Sequence, residues 1–185
     1  MTCSHVYSIC LVRLRQHGRY RLHWRVLNSL DHGLPQNRPR LFLVALRKTA
    51  VVQRFRWPRP LARVPAAKFL DPADAAPAGI GPHTAKQLDK VADGLDQIIQ
   101  KGGDCLKEDW FLDFRASPSR GVTVRKDACG CLTRARSGAG GPLVTSRQRT
   151  MTIKELMRFQ GFRDGWLRRR GIRCTQTASH VPQLS

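Results

Sequence analysis

The sequence has few acidic residues: 13 aspartates and glutamates stand against 33 lysines and arginines, which leaves a formal net charge of +20. Only two of the acids are glutamates, Glu108 and Glu155. A chain with this balance binds polyanions, and the excess of arginine over lysine favours planar, bidentate contacts with phosphates and base edges. Nucleic acid is therefore the predicted partner. A charge imbalance without a selected partner is the alternative.

Long apolar runs and metal-binding cysteine spacings are also missing. No apolar run approaches the ~18 residues needed to span a bilayer, and no basic region precedes a sustained apolar stretch near Met1, which argues against a secretory signal peptide. The six cysteines form no Cys-x-x-Cys pair, and Cys129 and Cys131 have no partners at zinc-finger spacing. We expect free thiols, no metal and no membrane contact in an intracellular protein, nuclear if the organism is eukaryotic.

Residues 33–46, GLPQNRPRLFLVAL, place a Gly-Pro turn, a glutamine and two arginines directly before a short apolar run. The run from Leu41 to Leu46 is bounded and apolar, which predicts a buried strand. Arg38 and Arg40 occupy alternate positions and should point the same way. Two guanidiniums at the mouth of a buried strand need an anion or a polar ligand. A solvated surface pair is the alternative.

Residues 20–26 alternate apolar and basic side chains, which predicts a half-buried strand whose apolar face is formed by Tyr20, Leu22, Trp24 and Val26. Residues 28–40 then form a loop. The two strands are expected to lie side by side at the edge of a larger sheet.

A helix is predicted farther along the chain, after an irregular connector at residues 57–82 that is rich in proline and alanine. Thr84 should cap this helix, which runs to about Gln100 and ends at Gly102. Its apolar stripe is expected to pack against the core. The stripe consists of Leu88, Val91, Ala92, Leu95, Ile98 and Ile99.

Two further stretches allow two interpretations each. Residues 103–127 mix aromatic and basic side chains, which suits either nucleic acid or a small core with a solvated face. Residues 137–142 are rich in glycine, which favours a flexible turn over a phosphate cradle, because a cradle needs a strand before it and a helix after it.

Residues 149–164, RTMTIKELMRFQGFRD, carry a second informative pattern. Thr152 and Glu155 form a Thr-x-x-Glu capping box that predicts the start of a helix. The helix should continue to about Gln160 and stop at Gly161.

The two stretches together resemble the motifs of the cytosine-5 DNA methyltransferase family. The first resembles Gln-x-Arg-x-Arg through Gln36, Arg38 and Arg40. The second resembles Arg-x-(Leu/Met)-Thr-x-x-Glu-x-x-Arg-x-Gln-Gly-Phe-Pro-Asp, with Arg163 in place of the proline. Its matching residues are Arg149, Thr152, Glu155, Arg158, Gln160, Gly161, Phe162 and Asp164. The resemblance covers about residues 15–170 and corresponds to the C-terminal half of a family catalytic domain.

The resemblance implies an α/β fold, namely the C-terminal part of a Rossmann-like, S-adenosylmethionine-dependent methyltransferase with a small mixed target-recognition region. Edge strands of the catalytic domain are then expected in 1–48 and the target-recognition region in 49–145. A motif helix that returns to the catalytic domain is expected in 146–172, and a divergent tail in 173–185.

The implied activity is transfer of a methyl group from S-adenosylmethionine to C5 of a cytosine that is flipped out of DNA. In the family a cysteine of a Pro-Cys dipeptide attacks C6 and a glutamate of Glu-Asn-Val holds N3. By position Arg40 would hydrogen-bond the cytosine O2, while Gln36 and Arg38 would order the neighbouring catalytic segment. The second motif would contribute nucleic-acid contacts and structural residues. The contacts would come from Arg149, Thr152 and Arg158, and the structural residues would be Glu155, Gln160, Gly161 and Phe162.

Several catalytic parts of the family are missing from this chain. No proline is followed by cysteine, neither glutamate is followed by Asn-Val, and no Phe-x-Gly-x-Gly cofactor loop is present. A covalent mechanism cannot proceed without its nucleophile, so the isolated chain is expected to be inactive. The alternatives to a partial DNA methyltransferase are a non-catalytic nucleic-acid-binding protein, a relative of the tRNA cytosine-5 methyltransferases that acts on RNA, and a pseudogene product without a stable fold.

Overall fold

The computed structural model describes residues 18–50, 53–75, 81–115, 121–133 and 141–166, together with residues 12, 13 and 16. These ranges form a mixed α/β structure with antiparallel sheets. The strands are β1 (Tyr20–Asn28), β2 (Pro39–Arg47), β3 (Trp110–Asp113), β4 (Thr123–Lys126), β5 (Leu143–Val144) and β6 (Arg149–Thr150), and the helices are α1 (Ala85–Gln100) and α2 (Ile153–Phe159). Within these ranges no helix is long and apolar enough to cross a membrane.

The first sheet is an antiparallel hairpin of β1 and β2, as predicted for neighbouring strands. Its register places Trp24 opposite Leu43 and Val26 opposite Leu41. The connection contains a short 3-10 helix, Ser29–His32, which ends at a glycine with a φ of 82°. Only glycine adopts this left-handed conformation without strain, which explains the turn signal in the sequence.

The apolar residues of β1 and β2 were predicted to be buried, but many of them are exposed in the structure. Val26 is 61% exposed and Leu41 is 47% exposed, and Trp24 and Leu43 of the same face are also open to solvent. Among the described residues the sheet has only two strands, and these four side chains are 36–61% exposed. Alternation and apolar runs report which face is suited to burial, and they carry no information on whether a covering layer is present.

The second sheet has the strand order β4-β3-β5-β6, and every pairing in it is antiparallel. Trp110, Phe111 and Phe114 of the aromatic stretch are buried. Of the two interpretations of residues 103–127, the small core is therefore confirmed for these aromatic side chains.

Helix α1 packs against one side of this sheet and begins and ends where the sequence predicts. Thr84 accepts a hydrogen bond from the backbone N–H of Gln87, and Gly102 follows the last turn with a φ of 70°. The helix contacts Trp110 and Leu112 through Ile98, with the partly buried residues Val91 and Leu95 beside it.

The predicted apolar stripe of α1 is only partly buried. Leu88, Ala92 and Ile99 are exposed, and Gly94 is buried instead, so the prediction is wrong for these three. A Cβ atom at Gly94 would lie 2.7 Å from Leu112 Cδ2. The helix therefore lies close to the sheet at Gly94, and the side of the helix that carries this glycine is the side that is buried.

The other side of the second sheet packs on α2 and on the connector. Residues 57–75 of the connector are irregular, as predicted, apart from a 3-10 helix at Ala66–Phe69. The Phe69 ring packs edge-on against Phe159, with ring centroids 5.7 Å apart, and Phe159 also contacts Phe111. This cluster joins the connector, the sheet and α2 in one core.

The domain limits stay predictions. β5 and β6 lie on either side of the predicted limit at residue 145 and pair with each other in one sheet. The glycine-rich residues 137–140 and the tail 173–185 lie outside the described residues, so the turn interpretation and the divergent tail are also predictions.

Candidate functional site

The guanidiniums of Arg38 and Arg40 reach the same segment of the chain, which confirms that they point the same way. Arg38 Nη1 donates to the carbonyl oxygen of Leu132 at 3.4 Å. Arg40 Nη2 lies 3.1 Å from Cys131 Sγ, and its Nη1 donates to the carbonyl oxygen of Pro39 at 2.8 Å. The partners are a carbonyl and a thiol, both neutral, so neither arginine has a charged partner in these contacts.

Gln36 lies in the interior beside these arginines, with 1% of its surface exposed. Its backbone forms an isolated parallel bridge with Cys129, flanked by hydrogen bonds from Cys129 N to Pro35 O and from Asn37 N to Cys129 O. The side-chain Nε2 is buried and has no hydrogen-bond partner among the residues that the structure describes. A buried amide without an acceptor is costly, by about 1–3 kcal/mol.

Asn28 fixes the loop that carries the first motif. Its Oδ1 accepts from the backbone N–H of Arg38 at 2.8 Å, and its Nδ2 donates to Asn37 Oδ1 at 2.7 Å. Ser29 also donates to the carbonyl of Gln36 at 2.6 Å. These short-range bonds position the two arginines at the start of β2.

A cleft of about 290 Å³ is lined by Cys131 and Leu132, which the two arginines contact, although neither Arg38 nor Arg40 lines it. The rest of the lining comes from Asn37 and Pro39, from the region of β3 and β4, and from residues 130 and 141–142. Its polar lining comprises Asn37, Asp113, Arg115, Thr123, Arg125 and Cys131.

The electrostatics of the cleft are mainly positive. Arg125 is exposed, and Arg115 lies over the ring of Phe114 at 5.1 Å. Burial lowers the pKa of Arg115, and the nearby Asp113 carboxylate opposes this shift. Guanidinium, hydroxyl and amide donors around one space suit a ligand that presents carbonyl or phosphate oxygens.

The second motif is arranged around a buried ion pair between Arg149 and Glu155. The contact is bidentate, with Nη2–Oε1 at 2.8 Å and Nη1–Oε2 at 3.0 Å. Arg149 also donates to four backbone carbonyls, those of Asp71, Pro72, Ala73 and Thr150. With 8% of its surface exposed and all its nitrogens bonded, Arg149 is positioned as a structural residue.

The predicted capping box is present at the start of α2. Thr152 Oγ1 accepts from Glu155 N at 3.1 Å, and Glu155 Oε2 accepts from Thr152 N at 2.6 Å. The helix ends at Phe159 with Gln160 as its C-cap. Gly161 N and Phe162 N then donate to the carbonyls two and three residues before that cap, a Schellman arrangement that confirms the predicted stop.

Arg158 joins the end of α2 to two carboxylates. Nη1 binds Asp71 Oδ1 at 2.6 Å, and Nε and Nη2 each bind an Asp164 oxygen at 2.8 Å. The hydrogen bonds with Asp164 raise the pKa of Arg158, and the same contact lowers the pKa of Asp164. The Arg158 side chain is 21% exposed, so part of it faces solvent.

Asp71 is the residue of this arrangement that the sequence did not indicate. Its carboxylate binds Arg158 and accepts from Thr152 Oγ1 at 3.2 Å, and its backbone N–H donates to Glu155 Oε1 at 2.7 Å. It lies in an irregular segment about 80 residues before its partners, so no local pattern marks it. The one feature of the sequence that could have drawn attention to Asp71 is that acids are scarce in this basic chain, so each acid is a candidate partner for an arginine.

The described cysteines, Cys105, Cys129 and Cys131, are free thiols, as predicted. Burial raises the pKa of the Cys129 thiol strongly, which keeps it protonated. No group of three histidine, cysteine or acidic side chains within the described ranges could hold a metal ion.

The described residues do not build the S-adenosylmethionine site that the resemblance implies. None of their strands leads through a glycine-rich turn into a helix, which is the arrangement that places backbone N–H groups around such a cofactor. No chemical step through the cofactor follows from this part of the chain.

Comparison with known proteins supports the family resemblance. A family model described as C-5 cytosine-specific DNA methylase matches residues 3–170. The type II methyltransferase M.HhaI of Haemophilus parahaemolyticus is 27% identical over 156 residues, which cover 80% of this chain and 44% of that protein. M.NgoMIV and M.NgoBI, type II methyltransferases of Neisseria gonorrhoeae, are 27% and 29% identical and are covered over 43% and 45% of their lengths.

The chain thus spans less than half the length of the curated relatives it matches, while the family match extends over nearly all of the chain itself. The family uses S-adenosylmethionine to methylate cytosine at C5, and DNA is the substrate that fits it. The chain belongs to the C-5 cytosine-specific DNA methylase family.

Proposed function

We propose that this chain supplies the base-recognition part of a DNA cytosine-5 methyltransferase and has no catalytic activity by itself. The observation that carries the proposal is the convergence of Arg38 and Arg40 on residues 131–132, which line a cleft that also contains Arg115 and Arg125. The chain contains no Pro-Cys dipeptide and the described residues form no cofactor site, so methyl transfer requires further protein.

Arg40 is suited to hold the O2 oxygen of a flipped cytosine. It is exposed, and its Nη2 is bonded to a thiol sulfur, which is a weak acceptor. Exchange of this contact for a base oxygen therefore costs little. A guanidinium stays charged and stabilises the negative charge that builds on the ring during attack at C6.

Gln36 and Arg38 position the segments around the base. The unpartnered Nε2 of Gln36 would gain an acceptor if a further catalytic segment packed against this loop. Arg38 ties the start of β2 to Leu132, which forms part of the cleft wall.

The proposed nucleic-acid contacts of the second motif differ in their access to solvent. Arg158 is partly exposed and could bind a phosphate in exchange for one of its carboxylate partners, whereas Arg149 and Thr152 are buried and act through the core instead. In this proposal Arg149, Thr152 and Glu155 are positioning residues that hold α2 against the connector.

Methyl transfer from labelled S-adenosylmethionine to duplex DNA tests the proposal. The chain alone should give no product above a no-enzyme control. Addition of the N-terminal half of a related catalytic domain, fused or in trans, should restore at least weak methylation. Product from the isolated chain would refute the assignment of a non-catalytic part.

Arg40→Ala gives the residue-level test in the reconstituted enzyme. Loss of a charged donor at the reacting ring costs about 2.7–4 kcal/mol, or about 10²–10³ in turnover, while DNA affinity should change little. Arg47→Ala is a matched control, because Arg47 is an exposed arginine at the opposite end of the same strand. Equal effects of the two substitutions on turnover would show that the role assigned to Arg40 is wrong.

The same assay separates the alternatives. A non-catalytic nucleic-acid-binding protein would show salt-dependent DNA binding and no methylation after reconstitution. A relative of the tRNA methyltransferases would transfer the label to tRNA in preference to DNA.

A further inference from the structure

The charge of the chain is strongly polarised between its parts. Residues 18–63 contain eleven lysines and arginines and one acid, Asp31. Residues 85–113, which include α1 and β3, contain seven acids and four lysines. Residues 115–185 are also basic, with fifteen lysines and arginines against three acids, so residues 18–63 are one of two basic regions. Clustered positive charge on a surface is the electrostatic footprint of a polyanion-binding protein.

The basic region is ordered by the hairpin. In an antiparallel pair, alternate residues and their opposite partners share a face. The register therefore places Arg21, His23 and Arg25 on the same face as Arg40, which lies opposite Leu27. This face is distinct from the uncovered apolar face that carries Trp24 and Leu43.

The segment after β2 packs on this face through Phe55 and carries two further arginines. The ring of Phe55 lies 4.7 Å from His23, and Trp57 packs edge-on against Phe55 at 5.0 Å. These three rings hold the segment against the hairpin. Arg54 and Arg56, on either side of Phe55, are exposed.

We propose that Arg21, Arg25, Arg54 and Arg56 form a phosphate-binding strip for the strand of nucleic acid that flanks the target base. All four are exposed, and none takes part in the ion pairs of the described residues. Each therefore presents a guanidinium that can bind phosphate without first losing a carboxylate partner.

The spacing fits a continuous strand of nucleic acid. At about 3.4 Å per residue, Arg25 lies ~7 Å and Arg21 ~20 Å along the strand from the level of Arg40. One nucleotide occupies about 3.4 Å of helix axis. The strip therefore covers about two to six nucleotides on one side of the base, and this placement rests on the proposed function of Arg40.

Binding of a 20-base-pair duplex of arbitrary sequence, measured by fluorescence anisotropy between 50 and 200 mM salt, tests the strip. Each phosphate contact contributes about −0.9 to the slope of log K against log salt. Replacement of all four arginines by glutamine should reduce the magnitude of this slope by about 3–4. Replacement by lysine should restore most of it, since the charges are kept.

Four exposed lysines away from the strip provide the control, namely Lys86, Lys101, Lys107 and Lys154. Their replacement by glutamine removes the same net charge and should change the slope by less than about 1. Equal slopes for the two glutamine variants would overturn the strip and leave the base-recognition proposal intact. Absence of duplex binding by the wild-type chain at 50 mM salt would overturn both the strip and the DNA substrate of the proposed function.

Discussion

The buried carboxylate of Glu155 accepts four hydrogen bonds in the core, and its removal gives the sharpest test of how the structure is held together. It has no solvent exposure. Oε1 accepts from Arg149 Nη2 and from Asp71 N, and Oε2 accepts from Arg149 Nη1 and from Thr152 N. One side chain thus joins the connector, β6 and the start of α2.

Glu155→Ala should destabilise the fold by about 3–5 kcal/mol, because it leaves the buried Arg149 guanidinium without its counter-charge. Loss of the capping interaction with Thr152 adds about 1 kcal/mol. Domains are stable by only about 5–15 kcal/mol, so the variant should be close to unfolding. With an m value of about 2 kcal/mol per M urea, the ion-pair loss alone moves the midpoint down by about 1.5–2.5 M.

Urea unfolding followed by circular dichroism measures this shift. Lys154→Ala is the matched control, because Lys154 precedes Glu155 in α2 and is exposed. Glu155→Gln should fall between the two, since the amide keeps one acceptor but loses the charge. A midpoint for Glu155→Ala within about 0.5 M of the Lys154→Ala value would refute the central role of the ion pair.

Three further predictions follow from the packing and the charges. The exposed apolar face of the hairpin should cause the chain to self-associate, and Val26→Glu combined with Leu41→Lys, which places an ion pair on this face, should reduce that association in sedimentation experiments; a monomeric wild type or unchanged association would contradict this. Gly94→Ala should lower the melting temperature by an amount equivalent to about 1–2 kcal/mol despite its better helix propensity, because the new methyl group lacks room against the sheet; a raised melting temperature would contradict the close approach. The Arg158 contact lowers the pKa of Asp164, so the stability that it contributes is present above the unfolded pKa near 3.9 and is lost as the pH falls through the folded value. The free energy of unfolding of Asp164→Asn should therefore differ from that of the wild type at pH 7 and converge with it in acid, and a difference that persists in acid would contradict this assignment.

The features that the sequence predicted well depend on neighbouring residues. The cap at Thr84, the stop at Gly102 and the capping box at Thr152 and Glu155 each involve groups within four residues of one another. The chemistry of such groups is the same wherever the helix lies in the fold. The pairing of β1 with β2 was predictable for a similar reason, because a single loop connects two adjacent apolar stretches.

The features that the sequence predicted poorly depend on distant residues. Exposure of Leu41 follows from the lack of a covering layer among the described residues, and no pattern within the strand reports this. Burial of Arg149 depends on carbonyl groups of the connector, about 76 residues before it in the chain. An arginine in a recognised motif can contact DNA or hold the core, and its residue type does not distinguish the two roles.

The two family motifs differ in how completely the described structure satisfies them, and this difference separates their roles. In the second motif, Arg149 and Glu155 have bonded partners at every polar side-chain atom, so this motif stabilises the fold without any ligand. In the first motif, Gln36 has a buried amide without an acceptor and Arg40 is bonded only to a carbonyl and a thiol. Of the two motifs, the first thus holds the polar groups that are incompletely or weakly bonded. Because an unsatisfied buried amide is costly and an exposed, weakly bonded guanidinium can exchange its partners, we infer that the first motif is the part of the chain that is completed by binding, of further catalytic protein at Gln36 and of the base at Arg40.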